Sequence, residues 1–115
     1  MVTQLTRVFL VDDHPLVREW LGNLLRREAD LQVCGEAEDT AGALAAVAKD
    51  EPDVVIADLS LRRSSGMDLI KALQDHYPAV KIIVLSMHEE ALYAERALRA
   101  GALGYVTKRE STSRI

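Results

Sequence analysis

Short apolar runs alternate with longer stretches whose apolar residues recur at helical spacing. Val8 to Val11 reads as a strand. Leu16, Val17, Trp20, Leu21, Leu24 and Leu25 then recur at the three-to-four-residue spacing of an amphipathic helix, with Arg18, Glu19, Asn23, Arg26 and Arg27 between them. Pro15 suits the first turn of that helix, where a missing N–H costs nothing. Leu31 to Cys34 predicts a second strand. Asp39-Thr40 predicts the cap of an alanine-rich helix over residues 40 to 50, which Pro52-Asp53 ends. Val54 to Ala57 predicts the third strand. Ser65 with Asp68 resembles a capping box that opens a helix through Met67, Leu69, Ile70 and Leu73, ending before Pro78. Val80 to Leu85 is the fourth strand. Glu89-Glu90 opens a helix running to about Ala100, with Gly101 as its stop, and Leu103 to Thr107 is the fifth strand.

Strands alternating with helices predict an α/β domain with a parallel sheet covered on both faces. In such sheets ligands bind beyond the carboxyl ends of the strands. Three of the apolar runs finish there in charge. Phe9-Leu10-Val11 runs into Asp12-Asp13, Val54 to Ala57 into Asp58, and Leu103 to Thr107 into Lys108. Charges at buried strand ends must be paired, hydrogen-bonded or bound to metal. Ser86 ends the fourth run.

Composition narrows the picture. The 115 residues suit one domain, 1–115, and 49% hydrophobic with 28% charged residues is globular composition. A net charge of −4 argues against a nucleic-acid surface in this segment, and Arg26-Arg27 and Arg62-Arg63 are too short to make one. One cysteine, Cys34, excludes an internal disulfide and is expected to be a small buried apolar residue. No signal peptide is visible and no apolar run approaches the roughly 20 residues of a membrane span, so a cytoplasmic protein without membrane partners is expected.

Taken singly, each charged residue has a plain structural reading. Asp12 and Asp13 could cap the first helix, Asp58 could be an ordinary strand-end residue, Lys108 a solvated lysine, and Ser86 a turn or cap. Tyr105 could be half-buried packing. His14, His76 and His88 show no metal-ligand spacing. Together, however, Val11-Asp12-Asp13, Asp58, Gly66 eight residues later, Ser86 and Lys108 resemble the receiver domain of two-component response regulators over essentially the whole chain. Asp12-Asp13-His14-Pro15 and Leu85-Ser86-Met87-His88 resemble the subfamily whose full-length members carry a C-terminal LuxR-type helix-turn-helix DNA-binding domain.

The resemblance implies a flavodoxin-like, doubly wound five-stranded sheet in the order 2-1-3-4-5. It implies that Asp58 accepts a phosphoryl group from a phosphohistidine on a sensor histidine kinase. Mg2+ would be held by Asp13 and Asp58, with Asp12 close by or acting through water and the backbone carbonyl of Ser60 as a further ligand. Lys108 would pair with Asp58 and then with the phosphoryl group; Ser86 would donate its hydroxyl to that group, and Tyr105 would report the change as a switch. On this reading the chain is no enzyme toward an outside substrate. Two other readings stay open. An aspartyl-phosphate hydrolase would place an Asp where Ser60 stands, and an unphosphorylated interaction module would not need Asp13, Asp58 and Lys108 intact.

The chain departs from the family at Arg62, where many receivers have Pro, at Met87, where a small residue is common, and at Arg109, where Pro often follows the lysine. A non-proline residue there favours a trans peptide bond. Ser111 to Ile115 reads as the start of a fifth helix cut short. A helix of that size would cover on the order of 300 Å² of apolar area, worth several kcal/mol. Homodimers or other self-association covering that strip are therefore expected. Light scattering at high protein concentration should show species above the monomer; a strictly monomeric result removes the expectation.

Overall fold

The structure, a computed structural model, describes residues 5–58, 66–86, 99 and 104–107. Among the described residues lie five strands and three helices: β1 (Thr6–Val11), α1 (Pro15–Arg26), β2 (Leu31–Ala37), α2 (Thr40–Asp50), β3 (Val54–Asp58), α3 (Gly66–His76), β4 (Lys81–Ser86) and β5 (Gly104–Thr107). The strands form one sheet in the order β2-β1-β3-β4-β5, every pair parallel. This is the expected doubly wound order. The predicted helix over residues 89 to 100 lies outside the described residues except for Arg99, which is helical and exposed. Ser65, half of the predicted capping box, also lies outside them, while Asp68 does sit in the first turn of α3.

Alternation along the central strands divides the core into two layers. Phe9 and Val11 of β1, Val55 and Ala57 of β3, and Ile82 and Val84 of β4 pack against Ala43 and Val47 of α2 and Leu69, Ile70 and Leu73 of α3. Val8 and Leu10, Ile56 and Leu85 face the other way, against Leu21 and Leu25 of α1. Successive strand side chains point to opposite faces, so both registers of β1 and β3 must be apolar. The next positions in the second register, after Leu10 and Ile56, are Asp12 and Asp58. The alternation therefore delivers both carboxylates to the α1 side.

The helices start and stop for local reasons. Asp39 caps α2, its carboxylate accepting from the Gly42 N–H at 2.8 Å. Glu51 ends α2 in the left-handed region at φ 48°, and Pro52 follows. Arg7 fastens that end to β1. Its guanidinium donates to the Asp50 carbonyl at 3.2 and 2.6 Å, and its N–H to the Asp53 carboxylate at 2.8 Å.

Three expectations are corrected. Leu16 is 79% exposed rather than part of the apolar stripe. At 3.6 residues per turn it lies about 140° around α1 from Leu21, so only Val17, Trp20, Leu21, Leu24 and Leu25 make the stripe. Neither Asp12 nor Asp13 is the helix cap; His14 holds that position, with extended φ −100° and ψ 107°. Pro15 imposes this, since the residue before proline avoids the helical region.

Cys34, expected to be buried, is only partly so. β2 also runs on past it to Ala37. The pairing with β1 slips by one residue there, from Val8↔Val33 to Phe9↔Gly35, which leaves Cys34 as the extra residue of a bulge. Partial burial pushes its thiol pKa up, against the lowering influence of Arg7. The bulge reverses the alternation. Leu31 and Val33 face the α1 layer, whereas Ala37 lies in the α2–α3 layer and Glu36 pairs with Arg18 of α1. Gly35 permits this, because a Cβ there would fall 2.7 Å from the Phe9 ring and against the Asp50 carboxylate.

Gly35→Ala is accordingly expected to destabilise the fold by about 1–3 kcal/mol, the usual range for overpacking. Urea unfolding at constant m value measures this, and an unchanged midpoint would show that Phe9 and Asp50 can yield.

Candidate functional site

The carboxyl edge of β1 and β3 gathers the charge. Asp12 continues the β1–β2 ladder by one bond, its N–H donating to the Ala37 carbonyl at 3.1 Å. Asp58 is the last residue of β3 and pairs with Leu85. Asp12 is 2% exposed and Asp58 3%. Asp13 is nearly as enclosed, its side chain 7% exposed.

Backbone and cationic groups hold the cluster. Asp12 Oδ1 accepts from the His14 N–H at 2.8 Å, which fixes the chain direction into α1. The positive end of the α1 dipole lies against the cluster, which favours negative charge there. Arg18, one turn into α1, donates from Nη1 to the Asp12 carbonyl at 2.5 Å and reaches Glu36 from Nε at 3.3 Å. The His14 ring also enters the group. Its Nδ1 is 2.9 Å from Asp12 Oδ1, 3.0 Å from Asp13 Oδ1 and 3.9 Å from Asp58 Oδ2.

One ligand atom from each of Asp12, Asp13, His14 and Asp58 lies within 4.8 Å of the others, a grouping able to hold a metal ion. The donor set suits a hard divalent cation. Carboxylate oxygens are the ligands Mg2+ prefers, and a few of them suffice because the ion retains water. Carboxylates packed this closely repel one another unless a cation lies among them.

The sequence-predicted residues divide into two groups. Asp12, Asp13 and Asp58 are brought together. Ser86 is the final residue of β4, opposite Thr107 and one step beyond the Asp58–Leu85 pairing, and Tyr105 lies on β5 opposite Val84. Ser60, Lys108, Arg62, Met87 and Arg109 lie outside the described residues, as do residues 111 to 115. Two residues at the site were not singled out from sequence. His14 has no ligand spacing to any other histidine or cysteine, and its signal was adjacency to Asp13 with Pro15 behind it. Arg18 stood among the polar residues of an amphipathic helix.

Comparisons with known proteins agree with this geometry. The family model for the response regulator receiver domain matches residues 8–115. DevR/DosR, a DNA-binding transcriptional activator of Mycobacterium tuberculosis, is 38% identical over 104 residues, covering 90% of this chain and 48% of that protein. The transcriptional regulatory protein DegU of Brevibacillus brevis is 34% identical over 102 residues, covering 89% and 43%. The chain thus spans about half the length of the curated relatives it matches. A LuxR-family two-component response regulator from Aurantimonas sp. SI85-9A1 superposes with TM-score 0.87 at 36% identity, over 91% of this chain and 75% of that one. The isolated receiver domain of RcsB from Salmonella enterica serovar Typhimurium, solved in the presence of the phosphomimetic BeF3−, superposes with TM-score 0.85 at 30% identity, over 92% and 79%. The chain belongs to the response regulator receiver family: it is the receiver domain of a two-component response regulator, of the kind found in LuxR-family transcriptional regulators.

Arg18→Ala should destabilise the protein by about 1–2 kcal/mol, because the Asp12 carbonyl loses a charged donor. Glu36→Gln should cost less than about 0.5 kcal/mol, since the Glu36 carboxylate is exposed and its attraction to Arg18 is screened by water. Denaturant melts of both variants make the comparison; equal losses would place the stabilisation in the ion pair with Glu36 instead.

Proposed function

We propose that this domain is a Mg2+-dependent phosphoacceptor whose nucleophile is Asp58. The observation that carries the reading is the meeting of Asp12, Asp13 and Asp58 at the carboxyl edge of β1 and β3, in a chain of the receiver family. A carboxylate oxygen of Asp58 attacks the phosphorus of a phosphohistidine on a sensor histidine kinase. The P–N bond breaks, and the imidazole of the kinase leaves with the bond's electron pair. A carboxylate is a weak nucleophile, so the donor must have high transfer potential and the charge must be neutralised. Asp13 and Asp58 would hold Mg2+, with Asp12 beside them and the Ser60 carbonyl as a further ligand. When bound, the ion supplies charge neutralisation for the transferring phosphoryl oxygens.

The chain's own residues do the remainder. The β1 and β3 ends fix the carboxylates; Arg18 and the His14 N–H hold the turn that carries Asp12. Lys108 pairs with a phosphoryl oxygen, Ser86 donates its hydroxyl to another, and Tyr105 responds on β5. The reaction modifies the domain itself, so the protein is a switch with slow self-dephosphorylation and no turnover of outside substrates. The added charge biases a two-state surface. In a full-length regulator that surface would govern self-association and a DNA-binding domain, with the site of action in the cytoplasm. Among the described residues no helix is long and apolar enough to cross a membrane.

Support comes from the RcsB receiver domain solved with BeF3− and from the naming of DevR/DosR as DNA-binding. The experiment is exposure to acetyl phosphate with and without Mg2+, read by intact mass. Wild type is expected to gain one phosphoryl group only with Mg2+, and Asp58→Asn none. Modification of Asp58→Asn to the wild-type extent would move the acceptor elsewhere.

A further inference from the structure

The carboxylates account for a magnesium site, and none of that account uses the His14 ring. His14 caps α1 yet makes no side-chain capping hydrogen bond. Its ring turns instead into the acidic group, with the backbone held from both sides. Pro15 restricts its φ and ψ, and its N–H is tied to Asp12 Oδ1. Nδ1 then stands 2.9 Å from an oxygen of Asp12, 3.0 Å from one of Asp13 and 3.9 Å from one of Asp58.

The two shorter separations are those of a hydrogen bond or ion pair from the ring, and equally those of neighbouring ligands around one ion. Metal bonds of about 2.0–2.1 Å set neighbouring octahedral ligands about 3.0 Å apart and opposite ones about 4.2 Å apart. Nδ1 meets the neighbouring spacing toward two carboxylates and falls between the two spacings toward the third. An ion seated among these oxygens would take the Nδ1 lone pair in place of the Nδ1···Asp12 Oδ1 hydrogen bond, with the ring proton carried on Nε2. The ring is 48% exposed, so an arriving ion can displace water around it without opening the core.

We propose that His14 is a nitrogen ligand of this centre and that it divides the divalent ions into two binding modes. Borderline first-row ions such as Co2+ take Nδ1 directly together with the carboxylates. Mg2+, a hard ion that prefers oxygen and retains water, binds the carboxylates and leaves the ring aside. The proposal rests on the carboxylate metal site put forward above. It makes metal choice a property of the residue after the Asp-Asp pair.

The test loads the intact domain with Co2+ and records X-ray absorption fine structure at the cobalt edge, where a bound imidazole gives its own multiple-scattering pattern. Wild type should show one imidazole per cobalt, and His14→Ala none. Competitive titration should find Co2+ affinity lowered at least about tenfold in His14→Ala, the lower end of what losing even an outer partner of a metal ligand costs. Mg2+ affinity should change less than about twofold, because the ring contributes no bond to that ion. Stoichiometric Co2+ without imidazole scattering in wild type overturns the proposal without reference to any variant. Equal weakening of both ions overturns it too, since the ring would then act through charge or folding. Failure of Mg2+ and Co2+ alike to bind the wild-type domain removes the carboxylate site itself, and the proposal with it.

Discussion

Two carboxylates buried at adjacent strand ends are the constraint around which the rest is arranged. Asp12 and Asp58 are almost wholly withdrawn from water, and each buried ion costs several kcal/mol unless its surroundings compensate. The compensation is local and specific. The His14 N–H reaches Asp12 Oδ1, α1 points its positive end at the group, and Arg18 occupies the Asp12 carbonyl so that the turn cannot drift. A loosely packed chain would meet the same cost by protonating or exposing these groups. This one holds them by making the stretches that lead up to them, Val8 to Val11 and Val54 to Ala57, apolar in both registers.

The opposite end of the sheet has a different task. Arg7 ties the end of α2 and the approach to β3 back onto β1 through the Asp50 carbonyl and the Asp53 carboxylate. These contacts involve ordinary partners in ordinary geometry. The sheet is thus fastened at its amino edge and electrostatically loaded at its carboxyl edge. A change of charge at Asp58, as proposed above, would act on the crowded carboxylate edge, while the anchoring contacts lie at the other end of the strands.

Much of this was legible in the sequence, and the reasons are physical. Alternation of apolar runs with helical stripes gave the order of elements, because a sheet buried on both faces leaves continuous apolar strands. Charges at the ends of two such runs, Asp12-Asp13 and Asp58, marked the acidic cluster, while Lys108 at the end of a third lies outside the described residues. Asp39 was readable as a cap because a carboxylate before an alanine-rich run has few other uses. Where the reading failed, the determinant was three-dimensional. Leu16 looked apolar and periodic, yet helical phase turns it outward. Cys34 looked like a core residue because a bulge has no periodic signature. His14 was passed over because ligand spacing was sought within the histidines, whereas its partners are aspartates supplied by the neighbouring turn and by a strand far along the chain.

The bulge has one further consequence. β2 is an edge strand whose two halves obey opposite parities, with Cys34 as the phase shift between them. Its carboxyl half is set by that one residue and not by the strand's own pattern. Removing a residue from within a regular strand flips every side chain beyond it to the other face. Removing Cys34 would instead put the two halves back in step and leave Gly35, Glu36 and Ala37 on their present β1 partners, whereas ironing the bulge out at full length would turn Glu36 away from Arg18 and toward the α2–α3 core. The bulge, rather than the composition of β2, therefore keeps Glu36 within reach of Arg18, and a β2 of the same length paired with β1 without it would lose that support of the Asp12 turn with no charged residue changed.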